Sequence, residues 1–236
     1  RFNSTTPSPM SRARFEKFKQ VLRQRQHDMT LLTDQVHKAQ NISAMLRTAD
    51  AVGMAEIHMV QPSRGRLVYH HTAGGSGRFT GTVVHPDIQT GMGVLRDKGF
   101  KLYAAHWSDR AMHYREADYT QPFALVMGAE KEGLSDYAAE QADEHLTIPI
   151  IGMVESYNVS VAAAIILQEA MHQRQQRGMY DRELDEWDPA VREILFRWMH
   201  PQMVRYCERY GLPFPDMDED GDMIPPKDER YRSPKG

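Results

Sequence analysis

Five short apolar runs punctuate the chain, and each gives way within a few residues to a stretch of another character. "LLTDQVH" (31–37), "EIHMVQP" (56–62), "FKLYAAH" (100–106), "PFALVMG" (122–128) and "HLTIPII" (145–151) read as strands. "NISAMLRTADAVG" (41–53), residues 86–99, "SDYAAEQA" (135–142) and residues 158–177 read as helices set among them. Strands this uniformly apolar need cover on both faces. Crossover helices supply it only when the strands run parallel. The expected class is therefore α/β, a parallel sheet flanked by helices, with ligands taken at the C-terminal ends of the strands.

Local signals place the ends of these elements. Asn41 reads as an N-cap and Gly53 as the stop of the first of these helices, and Gly178 stops the long one. Ahead of the sheet, residues 11–27 carry Phe15, Phe18, Val21 and Leu22 at helical spacing. After it, helices are expected at 189–199 and 202–210, closed by Pro213 and Pro215. The organisation that follows is a leader outside the fold (1–9), a basic helix (10–30), the α/β domain (31–178), C-terminal helices (179–214) and an acidic, disordered tail (215–236).

The totals exclude several classes. The single cysteine, Cys207, rules out an intramolecular disulfide and fits a reducing cytoplasm. No apolar run approaches the ~18–20 residues of a membrane span. The net charge of −3 conceals a basic arm: residues 11–47 hold eight Lys and Arg against three acids. Such an arm suits a polyanionic partner, and equally a solvated amphipathic helix.

Three polar turns fall where a parallel sheet binds ligands. In "NISAMLRTAD", Arg47 follows Asn41 by six residues, with Ala44 and Ala49 keeping the surroundings small. A helix start of this kind takes anions, and Arg offers a fork for phosphate; an ordinary capped helix with a surface Arg has the same spacing. In "LVMGAEKEGLS", Gly128 ends a buried strand and Glu130 and Glu132 precede Gly133. Glycine there admits a ligand close to the backbone, and a carboxylate beside it accepts from a hydroxyl or amine; a polar connecting loop reads the same way. In "IPIIGMVESYNVSVAAAIILQEA", Ser156, Asn158 and Ser160 surround a helix start that needs only one cap. Ala162, Ala163 and Ala164 then imply a helix packed close to another backbone.

Other features carry less. "AGGSGRFTG" (73–81) matches neither a phosphate loop nor a dinucleotide fingerprint. The eleven histidines show no metal-ligand spacing, so no metal is expected. Cys207 reads as a core residue, and no GxSxG elbow is present.

Taken in order, "QVHKAQNISAMLRTADAVG", "LVMGAEKEGLS" and "IPIIGMVESYNVSVAAAIILQEA" resemble the three motifs of the TrmH-type tRNA guanosine 2′-O-methyltransferases of the SPOUT superfamily. The resemblance runs from about Leu31 to Gly178. It implies a SPOUT fold whose C-terminal part forms a deep trefoil knot, a homodimer, and S-adenosylmethionine bent in the knotted loops. Cofactor contacts would be near Ala105, Gly128, Ile148, Met153, Tyr157 and Asn158. Arg47 would be the catalytic residue, with Asn41, Glu130, Ser156 and Asn158 completing the active site. Arg is protonated in nearly all protein settings, so Arg47 reads better as a phosphate clamp and stabiliser of a developing oxyanion than as a base. Gln40, where relatives often carry His or Arg, and Tyr157, where Leu is commoner, depart from the pattern.

The implied substrate is tRNA, with guanosine 18 of the D-loop as target. Phosphate contacts would come from Arg12, Arg14, Lys17, Lys19, Arg23 and Arg25, and from Arg174 and Arg177 in "QRQQRG". Alternatives are the same chemistry on ribosomal RNA, a non-catalytic knotted RNA-binding or assembly factor, and a conventional dinucleotide enzyme, which the missing GxGxxG disfavours.

Overall fold

The computed structural model describes residues 9–60 and 79–231. They divide into two compact units, Arg25–Asp181 and the two flanking segments together. The "AGGSGRFTG" stretch and the histidine pair at 70–71 lie largely outside the described residues.

The larger unit holds β1 (Met29–Thr33), α2 (Ala39–Ala51), β2 (Glu56–Val60), β3 (Gly81–His85), α3 (Ile88–Asp97), β4 (Lys101–Ala105), β5 (Met112–His113), β6 (Phe123–Met127), α4 (Asp136–Gln141), β7 (Glu144–Thr147) and α5 (Val159–Gln176). The seven strands form one sheet in the order β3-β2-β1-β6-β4-β7-β5, and every pairing is parallel. β1 and β6 are buried along their whole length, as the uniformly apolar runs required. On one face α2 and α5 pack together over Leu31, Met45, Leu125 and Ile166. On the other, α3 and α4 cover Leu32, Leu102, Val126 and Ala138. Of the alanine run, Ala163 is fully buried and Ala162 and Ala164 are half-buried, so one alanine of the three makes the close approach that the run implied.

Arg174 corrects an expectation. It is wholly buried on α5 and makes no surface for RNA. Its Nε donates to Tyr119 O (2.8 Å), Nη1 to Gln26 Oε1 (2.9 Å) and Asp28 Oδ1 (2.6 Å), and Nη2 to Asp28 O (3.2 Å) and Gln121 O (3.0 Å). A guanidinium has five N–H groups, and all of them are used. The ring of Phe123 lies 5.5 Å beneath.

The smaller unit contains α1 (Pro9–Arg23), α6 (Pro189–Met199) and α7 (Pro201–Tyr210). Phe15, Phe18 and Leu22 face inward, and Phe18 meets Trp198 edge-on at 5.5 Å. Asp188 caps α6 ahead of Pro189, and Gly211 ends α7 at φ +61°.

Several elements differ from the sequence reading. β1 starts two residues ahead of the expected strand and ends at Thr33, and β3 and β5 stand where no element is expected; only Thr82–Val84 carry a β-branched signal in β3. The strand called at 145–151 leaves the sheet after Thr147, so Ile151 is fully exposed. The described residues after Pro215 make local contacts: Met217 bridges Met223, Asp218 Oδ1 accepts from the amides of Asp220 (3.0 Å) and Asp222 (2.9 Å), and Tyr231 Oη donates to Pro213 O (2.6 Å).

Candidate active site

The three polar turns meet. Asn41 is not the cap of α2; the helix starts at Ala39, and Lys38 stands at the N-cap without a side-chain bond. Asn41, 7% exposed, turns inward instead. Its Nδ2 donates to Glu130 Oε1, and its Oδ1 accepts from Asn158 Nδ2 at 3.2 Å. Asn158 is the N-cap of α5, and its Oδ1 takes the amide of Ser160 (2.9 Å) and the Ser160 hydroxyl (2.7 Å). One hydrogen-bonded chain, Glu130–Asn41–Asn158–Ser160, thus ties together the turns after β1, β6 and β7.

Gly128 is required by a backbone crossing. A Cβ built there would stand 2.2 Å from the carbonyl carbon of Gly133 and 2.3 Å from the nitrogen of Leu134. The tight return is closed by paired bonds, Ala129 N to Gly133 O (2.8 Å) and Gly133 N to Ala129 O (3.0 Å), with Gly133 at φ +73°.

Beside this chain opens a cavity of about 790 Å³, at the C-terminal ends of β4, β6 and β7. Its wall includes Ala105, Gly128, Glu130, Ile148, Ser156, Tyr157 and Asn158. Each of these was expected at the site. Met153 is not part of the wall, and its side chain is fully exposed. Arg47 lies on the exposed face of α2, also outside the wall. Lys38, His106 and Trp107 line the cavity without having been anticipated. His106 and Trp107 directly follow the end of β4, so the strand-end rule alone points to them.

The cavity wall has a polar half and an apolar half. Leu146, Ala162 and Ile166 supply apolar surface. Among the described residues Glu130 Oε2 is buried without a hydrogen-bond partner, an acceptor left with capacity for a donor. His106 touches the ring of His145 edge-on at 5.0 Å. Burial, then His145 and Arg110, hold its pKa below the ordinary imidazole value. His145 is fixed in turn by Ser108 Oγ at Nδ1 and Arg110 Nη2 at Nε2, each at 2.7 Å.

The proposed phosphate contacts divide. Arg12, Arg14, Lys17 and Arg177 are exposed, and Arg23 is half-buried against Glu186 at 2.9 Å. Lys19 and Arg25 join Arg174 as corrections. Lys19 is 6% exposed between Glu16 (2.7 Å) and Glu186 (3.0 Å), and Arg25 is 2% exposed, donating to Met54 O (2.7 Å) and paired with Asp50. Charge counted along a sequence does not show which face of a helix a cation occupies. Among the described residues no cluster of His, Cys, Asp and Glu could hold a metal ion, and no helix is long and apolar enough to cross a membrane.

Known proteins match this arrangement. The tRNA (guanosine(18)-2′-O)-methyltransferase of Escherichia coli (strain K12) is 40% identical over 215 residues, which is 91% of this chain and 94% of that protein. The crystal structure of the Aquifex aeolicus TrmH/SpoU tRNA modifying enzyme superposes with a TM-score of 0.74 at 32% identity, covering 82% of this chain and 98% of that one. The SpoU methyltransferase AviRb from Streptomyces viridochromogenes, solved in complex with the cofactor AdoMet, gives a TM-score of 0.57 at 26% identity over 64% of this chain and 62% of that one. The SpoU rRNA methylase C-terminal model matches residues 172–226. Residues 28–168, which contain all three turns and the cavity they enclose, match the model of the SpoU rRNA Methylase family, and the chain belongs to that family.

Proposed function

We propose that this protein transfers the methyl group of S-adenosylmethionine to the ribose 2′-hydroxyl of a tRNA guanosine, guanosine 18 of the D-loop. The observation that carries the reading is the Glu130–Asn41–Asn158 chain, whose Glu130 and Asn158 line the strand-end cavity. The residues fit the cofactor. The volume lies in the range of small-molecule sites, the wall offers an apolar face for a nucleoside, and the partnerless Glu130 Oε2 accepts from a ligand amine or hydroxyl. Ala105, Gly128, Ile148 and Tyr157 would hold it. When bound, it supplies an electrophilic methyl on a sulfonium.

The chain's own groups do the rest. Attack by the 2′-oxygen joins a developing alkoxide to a cation, so charge falls along the reaction. Placement of the hydroxyl and removal of its proton therefore matter more than charge stabilisation alone. Asn41 and Asn158, each fixed by the other, orient the sugar. Arg47, exposed on α2, grips the adjacent phosphate and steadies the oxygen as it becomes anionic.

A second copy completes the site. Ile151 and Met153 are fully exposed, and Val154 and Val161 are 63% and 45% exposed, an apolar stretch beside the cavity that a homodimer would cover. The same reading includes a trefoil knot in the C-terminal part of the α/β domain, with the buried Ala163 of α5 in its favour, and a cytoplasmic setting where tRNA is available. Arg12, Arg14, Lys17, Arg23 and Arg177 provide phosphate contacts. Transfer to tRNA is favoured over ribosomal RNA by the 40% identity and near-complete coverage of the tRNA enzyme.

The test is transfer of labelled methyl from S-adenosylmethionine to an unmodified tRNA transcript, followed by mapping of the methylated nucleotide. The expected product is a single 2′-O-methylguanosine at position 18, lost when that guanosine is replaced. Methylation of ribosomal RNA with none on tRNA, or cofactor binding without transfer to either, would refute it.

A further inference from the structure

Asp34 ends the central strand region with a fully buried carboxylate that the chemistry above does not use. It holds both ends of one loop. Its amide donates to Met127 O at 2.8 Å, at the point where β6 gives way to the loop 128–134. Its Oδ2 accepts the amide of Ser135 at 2.8 Å, where the same loop enters α4. Within that neck the loop is closed by the Ala129–Gly133 pair, with Gly128 pressed against the returning backbone. The loop carries Glu130, which lines the cavity and accepts from Asn41.

We infer that Asp34 is a positioning residue for methyl transfer, acting through Glu130 by clamping the entry and exit of the loop that bears it. The inference rests on the methyltransferase reading above. Asp34 Oδ1 is buried with no hydrogen-bond partner among the described residues. A carboxylate kept in such a place carries a stability cost, and such costs gather at functional sites. The side chain also leaves no slack. The next residue, Gln35, turns into the left-handed region at φ +59°, so the chain bends away toward α2 directly after the clamp. Loss of the Ser135 bond frees the exit of the loop while the backbone bond to Met127 still holds its entry. The loop then pivots and Glu130 leaves Asn41.

The experiment is a double-mutant cycle with a rescue arm. Asp34→Ala should lower kcat about 10- to 100-fold at a temperature well below unfolding, the loss expected when a catalytic group moves by about an ångström. Asp34→Asn keeps an oxygen for the Ser135 amide and should return kcat to within about 3-fold of wild type. On a Glu130→Gln background, Asp34→Ala should cost less than about 3-fold more, because the two act on one element. Additive losses in the cycle, an Asn variant as impaired as the Ala variant, or wild-type turnover by Asp34→Ala would each overturn the inference. Should Asp34→Ala not fold, the Asn variant alone and in the Glu130→Gln background still decides: a loss above 10-fold, or an additive one, refutes the clamp. Failure of the wild-type protein to methylate any RNA would refute the methyltransferase reading instead, and cofactor affinity measured by calorimetry separates that case.

Discussion

Arg174 offers the sharpest prediction, because the sequence and the structure assign it opposite roles. As a surface cation it would contact phosphate; as placed, it is wholly buried with all five N–H groups matched to oxygens. Arg174→Ala removes those bonds and strands Asp28 and Gln26, together with three backbone carbonyls. Breaking a buried ion pair on one side costs about 3–5 kcal/mol. The Asp28 side chain keeps 29% exposure and recovers some hydration, which places the cost near the low end, about 3–4 kcal/mol. For a domain of this size, about 2–4 °C of melting temperature accompanies each kcal/mol, giving a loss of about 6–16 °C. Arg174→Lys keeps the charge but has only three donors and no planar fork, so it should recover less than half of that loss. The assay is thermal unfolding by circular dichroism, paired with an RNA affinity titration against salt. A melting temperature unchanged within about 1 °C, with the salt slope reduced by about one unit, is the signature of a phosphate contact. That result would refute the buried assignment.

Other consequences are simpler to state. Arg47→Ala should abolish methyl transfer while cofactor affinity by calorimetry stays within a few-fold, since Arg47 lies outside the cavity wall; wild-type turnover would remove its role. RNA affinity should fall steeply between low and moderate salt, and Arg12→Ala with Arg14→Ala and Lys17→Ala should each flatten the slope by about one unit; a flat wild-type titration would remove α1 from the interface. Near neutral pH, His85 is held below the usual imidazole pKa by burial first, then by His58 at 2.7 Å and by Lys98, with Asp87 and Glu56 opposing. The unfolded chain binds that proton more readily, so this contribution to stability is present above the unfolded value of 6.5 and is lost as pH falls toward the folded one. The melting temperature should therefore drop as pH is lowered through 6.5 toward 5, and His85→Gln should flatten the drop; an unchanged pH dependence in the variant would count against it.

How far the sequence carried the fold depends on what each signal reports. Strand runs such as "PFALVMG" are apolar because both faces are covered, a requirement fixed by the parallel sheet itself; β2, β4 and β6 appear where those runs stand, while β1 shares only Leu31–Thr33 with its run. β3 was missed because an edge strand next to β2 alone needs few apolar residues; "GTVVH" leaves Val84 43% exposed and carries little pattern. The site divides on the same principle. Gly128 was legible in position but not in reason: the sequence suggests a ligand's approach, whereas a backbone crossing is what excludes a side chain there. The inward turn of Asn41 was not legible, because Asn is also the ordinary cap of a helix, and nothing in "HKAQNIS" reveals that the helix begins two residues earlier at Ala39. The cations failed most clearly. Lys19, Arg25 and Arg174 differ from Arg12, Arg14 and Arg177 only in what packs over them, and packing is a property of segments far away in the chain: Asp28 meets Arg174 across 146 residues. A residue type states what a group can bind. Where a strong partner arrives from a distant segment and the cation itself is buried against it, the fold spends that capacity internally, so the cations left for an RNA are those whose own side chains stay exposed.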